Sequence, residues 1–123
     1  MTAIINRRAA LLVSRDLFFI SKVTGTASSL GIEMRVAAEA QSAAQLASAE
    51  VFQCIFIDLA DDGLDVSEFF ANLKLELPAP VIAFGSHVAT ARLQEARAAG
   101  CTDVMPRSRF SASLPELLQE YCK

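Results

Sequence analysis

The sequence predicts an α/β fold, a five-stranded parallel sheet that is doubly wound, with helices on both faces in three α/β/α layers. Three observations carry this. Short apolar runs alternate five times with segments of helical period. Two of those runs, residues 54–57 (CIFI) and 81–84 (VIAF), are unbroken rather than alternating, as strands covered on both faces are. Gly31 and Gly100 sit just past helical segments, where a left-handed residue ends a helix at least cost.

The elements follow in order. Residues 9–13 (AALLV) read as the first strand and 17–30 as the first helix. Thr24, Gly25 and Thr26 lower that helix's propensity by about 1 kcal/mol or more in total and predict a kink there. Residues 33–38 form the second strand and 43–50 the second helix, with Ser42 and Gln45 at capping-box spacing. The third strand, 54–57, leads to a helix over 66–77 that Asp65 and Glu68 open in the same way. The fourth strand, 80–84, precedes a helix over 88–99. The fifth, 101–105, precedes a last helix over 114–122 with Ser113 and Glu116 at its start. No low-complexity stretch, linker or repeat interrupts the pattern, so residues 1–123 read as a single domain.

Composition narrows the function. A chain of 123 residues buries enough surface to need no covalent staples. Its three cysteines, Cys54, Cys101 and Cys122, have neither disulfide-framework nor zinc-site spacing. Cys54 and Cys101 read as small apolar residues at strand starts. Cys122 reads as an exposed thiol at risk of accidental dimerisation. The apolar part of the N-terminal stretch is too short for a signal sequence or membrane span, so a cytoplasmic location and no membrane partner are expected. A net charge of −3 gives no pull toward nucleic acid. Neither glycine-rich phosphate cradle is present, His87 has no nucleophile and acid arranged with it, and no metal-ligand cluster stands out. Enzymatic activity, metal and cofactors are not expected.

In a parallel sheet of this kind, chemistry collects at the carboxyl ends of the strands. The residues there are Ser14, Arg15 and Asp16 after the first strand and Asp58 after the third. Gly85, Ser86 and His87 follow the fourth, and Pro106 and Arg107 the fifth. The run CIFID stops on an aspartate, then turns through acids to Gly63. That aspartate is either a reactive group at a strand tip or the start of an acidic loop.

Five β-α units in this length, an aspartate ending the third strand, PVIAF as the fourth and GCTDVM-P-R leading off the fifth together resemble the response-regulator receiver family, the CheY-like (flavodoxin-like) domains. The likeness spans the whole chain. It implies that Asp58 stands at the phosphoacceptor position and Arg107 at the position of the family's lysine. The family also places two acids at the end of the first strand to hold Mg²⁺, a hydroxyl residue after the fourth strand and an aromatic in the fifth. Here those positions read Ser14 and Arg15, Gly85 (or, one residue on, Ser86) and Val104. Asp16 falls one residue late and suits a helix N-cap. Arg15 offers a positive charge where the ion would sit, so Asp58 is expected between Arg15 and Arg107. The loop after Asp58 is short, and Ser108 replaces the proline that usually follows the lysine.

The expected function is a stand-alone, receiver-like protein-interaction or regulatory module without Mg²⁺-dependent aspartyl phosphorylation. Two alternatives stay open: a working phosphoacceptor of a two-component system, with Asp58 phosphorylated and Mg²⁺ as cofactor, and a small-anion-binding module built on Arg15, Arg107 and the turn after Gly85. The partner implied is a protein, a signalling protein or sensor kinase, or a second copy of this chain. Contact is expected on the face between the fourth and last predicted helices, with Arg92, Arg97, Val104 and Arg109.

Overall fold

The computed structural model describes residues 8–61, 63–73 and 79–122. In chain order the elements are β1 Ala9–Val13, α1 Leu17–Ser29, β2 Glu33–Ala37, α2 Ala40–Ala49, β3 Cys54–Asp58 and α3 Val66–Ala71. There follow β4 Val81–Gly85, α4 Thr90–Ala99, β5 Asp103–Pro106, α5 Arg107–Ala112 and α6 Leu114–Tyr121. The strands form one parallel sheet in the order β2-β1-β3-β4-β5. Strand order reverses between β1 and β3, so their carboxyl ends flank the crevice where such sheets hold their sites.

The two unbroken apolar runs lie in β3 and β4, which with β1 make up the centre of the sheet. Every residue of β1, β3 and β4 is buried. Side chains alternate across a strand, which splits each run between two cores. Leu11, Val13, Ile55, Ile57 and Ala83 pack on one face beneath α2, α3 and α4. Leu12, Phe56, Ile82 and Phe84 pack on the other beneath α1, α5 and α6. On the first face α2 buries only alanines, Ala40, Ala43, Ala44 and Ala47, one stripe at helical spacing that lets its backbone lie close to the sheet. On the second, Phe84 and Phe110 stack with ring centroids 4.0 Å apart, and Phe56 and Phe19 meet Phe110 at 5.2 and 5.8 Å.

Several local expectations change. α1 is continuous through Thr24, Gly25 and Thr26. The two threonine hydroxyls bond back to the carbonyls of Ile20 and Lys22, while Val23 and Ala27 anchor the helix to the core on both sides of the glycine. α2 starts at Ala40, which places Ser42 inside the helix, where its hydroxyl donates to the Glu39 carbonyl. Ser113 precedes α6 without a side-chain capping bond. Asp65 does cap α3, accepting from the amides of Ser67 and Glu68. The predicted third helix reaches past Ala71 into residues 74–77, which lie outside the described residues. A short helix that the pattern did not predict, α5, follows β5, and a single apolar anchor, Phe110, holds it to the core. Gly31 and Gly100 have φ of 74° and 117°, as their positions past α1 and α4 require. No helix among the described residues is long and apolar enough to cross a membrane.

Candidate functional site

Asp58 is the last residue of β3 and is only 2% exposed. A buried carboxylate needs its lone pairs occupied, and here they are. Arg107 Nη2 donates to Oδ1 at 2.8 Å and Oδ2 at 2.7 Å, the Ser14 hydroxyl donates to Oδ2 at 2.8 Å, and the Ala60 amide donates to Oδ1 at 3.0 Å. β1, β3, the loop after β3 and the first residue of α5 therefore converge on one carboxyl group.

Arg107 is placed by more than its charge. Its guanidinium lies over the Phe19 ring at 4.3 Å from the centroid and 5.6 Å from that of Phe84. A planar cation stacks on an aromatic face in a way an ammonium does not reproduce. Nη1 lies 3.7 Å from Asp16 Oδ2. Asp16 caps α1 by accepting from the Phe19 amide at 3.1 Å, and its own amide donates to Ser14 Oγ at 3.2 Å. One guanidinium thus lies between two carboxylates, those of Asp16 and Asp58.

This corrects the expectation that Asp58 lies between two arginines. Arg15 points away from Asp58. Its Nη1 is 3.5 Å from Asp61 Oδ2 in a pair with side chains 63% and 30% exposed. The reason is local: Ser14 is the residue turned inward at the end of β1, so its neighbour Arg15 faces the solvent side of the loop.

The strand-end residues of β4 do not reach the carboxylate. Gly85 is buried against Leu59, and a Cβ built on it would lie 3.1 Å from Leu59 Cβ and 3.7 Å from Leu93 Cδ2. The space that a hydroxyl-bearing side chain would need is filled by leucine. Ser86 is exposed, and its hydroxyl accepts from the Val88 amide at 3.3 Å within its own turn. His87 is exposed as well.

Mg²⁺ takes an octahedral shell of oxygens, several from carboxylates and water. At the end of β1 this chain offers a serine hydroxyl bound to Asp58 and an arginine turned outward. Asp16 is spent on a helix cap, and a guanidinium covers both oxygens of Asp58. Among the described residues, no three acids, histidines or cysteines come together as ligands. The residues present do not fit the ion.

Two of the four residues expected on the interaction face are used elsewhere. Arg92 is half-buried, and its Nη2 donates to the carbonyls of Leu59 (3.3 Å), Asp61 (3.0 Å) and Leu64 (2.9 Å), clamping the loop that follows Asp58. Val104 is buried in the core under α4, because β5 turns it inward. Arg97 and Arg109 are exposed. The clamp left no trace in the sequence, since an arginine that collects backbone carbonyls across 28 to 33 positions looks like any helical surface cation.

No protein-family model and no curated protein matches the sequence. Solved structures do match. The receiver domain of a Pseudomonas aeruginosa sensor histidine kinase, crystallised with magnesium coordinated in its active-site cleft, superposes at a TM-score of 0.79 and 19% identity, covering 94% of this chain and 98% of that one. The chemotaxis response regulator CheY4 of Vibrio cholerae gives 0.76 and 20%, with 94% and 98% covered. The receiver domain of the Saccharomyces cerevisiae response regulator Ssk1, in complex with the histidine phosphotransfer protein Ypd1, gives 0.72 and 15%, with 94% and 89% covered.

Proposed function

From the receiver fold that this chain shares with those structures, we infer that it is a receiver-like signalling module, one domain over residues 1–123. It acts through protein contacts and does not carry Mg²⁺-dependent aspartyl phosphorylation. The observation that carries the reading is the engagement of both Asp58 oxygens by Arg107 Nη2 at 2.8 and 2.7 Å. A phosphoacceptor must present a free oxygen to an incoming phosphorus while a cation neutralises the transferring group. Here the guanidinium already neutralises the acceptor, and its stacking on Phe19 opposes withdrawal. The leucine-filled space at Gly85 supports the second half of the reading, because no hydroxyl stands where it could follow a phosphoryl group.

The test is direct. Incubated with Mg²⁺ and a small phosphodonor such as acetyl phosphate, the chain is expected to show no phosphoryl adduct by intact-mass spectrometry. An adduct that vanishes in Asp58→Asn would reverse the reading in favour of the phosphoacceptor.

The partner is a protein. The Ssk1 receiver domain was crystallised with a phosphotransfer protein, and a signalling protein of that kind is the class this fold suggests. Arg97 on α4 and Arg109 on α5 are the exposed cations that remain on the expected face, on helices that both pack against β5. Charges at an interface rim act mainly on association rate. Reversing Arg97 and Arg109 is therefore expected to slow association with a captured partner several-fold, while reversing the exposed Glu33 and Glu39 at the opposite edge leaves it unchanged. Equal slowing from the two pairs would place the contact elsewhere.

A further inference from the structure

Cys54 opens β3, four residues before Asp58 on the same strand, and Cys122 directly follows α6. The sequence suggested an exposed Cys122. Instead α6 turns Leu114, Leu118 and Cys122, residues i, i+4 and i+8, onto the sheet, and both thiols are 0% exposed in the same core cluster. Their Sγ atoms lie 3.3 Å apart. The pairing is unsymmetrical. The hydrogen bond with Cys54 pulls the Cys122 thiol below its ordinary range against the effect of burial, with help from the Arg8 charge, and Arg8 Nε also donates to the Cys122 carbonyl at 2.9 Å. The same hydrogen bond, together with burial, pushes the Cys54 thiol up. Cys101 is a useful contrast: it packs on the opposite face of the sheet, and burial raises its thiol to about 11.

We propose that Cys54 and Cys122 are a dithiol modification site, oxidised by a small peroxide to an intramolecular disulfide that ties α6 to β3. Cys122 Sγ attacks one peroxide oxygen and the O–O bond breaks. A sulfenic acid forms on Cys122, and the other oxygen takes the thiol proton and leaves as water from hydrogen peroxide, or as an alcohol from an alkyl peroxide. Cys54 Sγ then attacks Cys122 Sγ, the S–O bond breaks and water leaves, carrying the Cys54 proton. The two sulfurs lose two electrons and the peroxide gains them. The 3.3 Å contact makes the second step intramolecular and favours it over further oxidation. Access comes through local opening of the last turn of α6, the kind of helix-end motion that needs far less than global unfolding.

The experiment treats the reduced, native chain with equimolar hydrogen peroxide, then alkylates and digests it. The expected product is a monomer lighter by two hydrogens, with one linked peptide pair containing Cys54 and Cys122 and with Cys101 alkylated. A dithiol reductant should reverse the change. The urea midpoint of the oxidised form should exceed that of the reduced form, since the link constrains the unfolded chain. Cys101→Ala is expected to oxidise like the wild type, and Cys122→Ser to show no such mass loss. The wild-type peptide map stands even if the buried serine prevents folding. No mass loss in the native wild type would overturn the proposal. So would a link through Cys101, a Cys122-linked dimer, or closure only after unfolding.

Discussion

Replacing Arg107 with alanine is expected to lower the urea midpoint by roughly 2 M. Asp58 is 2% exposed, and without the guanidinium it retains two neutral donors, the Ser14 hydroxyl and the Ala60 amide. Removing one partner of a buried pair strands the other, at a cost of roughly 3 to 5 kcal/mol. At the lower end, and with an m-value of about 1.5 kcal/mol/M for a chain this size, the midpoint moves by about 2 M. The stack on Phe19 is lost as well. Asp58→Asn should cost less, about 1 to 2 kcal/mol. Arg107 is itself 28% exposed and keeps Asp16 at 3.7 Å, and the amide fits the same space. The double variant should be milder than the sum of the singles, with a coupling of about 1 to 3 kcal/mol. Arg15→Ala should fall within about 0.5 kcal/mol of wild type, because its pair with Asp61 is solvent-exposed. If the effects of Arg107 and Asp58 simply add, or if Arg15→Ala matches Arg107→Ala, the ion pair described here does not hold the site together.

Arg92→Ala is expected to be the second-largest loss, about 2 kcal/mol, with a local signature. Three backbone carbonyls of the loop after β3 share the Arg92 Nη2 group, and a hydrogen bond to a charged donor is worth roughly 1.5 to 3 kcal/mol. The loop begins immediately beyond Asp58, so releasing it loosens one wall of the site. Amide exchange should accelerate at Ala60 and Leu64, whose amides bond to Asp58 Oδ1 and the Asp61 carbonyl within the loop, while that of β1 and β4 stays protected. Arg92→Lys should recover part of the loss, because all three carbonyls bond one nitrogen and an ammonium also carries three donors, though on a shorter and more flexible stem. An unchanged midpoint in Arg92→Ala, or loosening spread evenly over the sheet, would mean that Arg92 is only a surface cation.

The sheet was legible from residue pattern because a strand covered on both faces must be apolar without interruption. CIFI and VIAF obeyed that rule, and Asp58 at the end of the first became the one buried acid to explain among the described residues. The caps at Asp16 and Asp65, and the left-handed glycines at Gly31 and Gly100, were equally readable. Each answers a local backbone requirement within a few residues. Pattern alone also brought Ser14, Asp58 and Arg107 to the same end of the sheet.

Which charges touch there was a different matter. Arg15 and Arg107 are equivalent as cations in a sequence. Only the inward turn of Ser14 and the Phe19 ring beneath Arg107 sent one outward to Asp61 and the other onto Asp58. Arg92 and Val104 sit on helix and strand positions that suit a docking face, yet the packing of α4 over the sheet gave one to the loop carbonyls and the other to the core. Cys54 and Cys122 are 68 positions apart and meet because the end of α6 reaches the start of β3. Apolar period and capping are short-range properties that a chain carries in its order of residues. The partner of a long polar side chain or a buried thiol depends on distances between elements, which exist only once the sheet and its helices have packed.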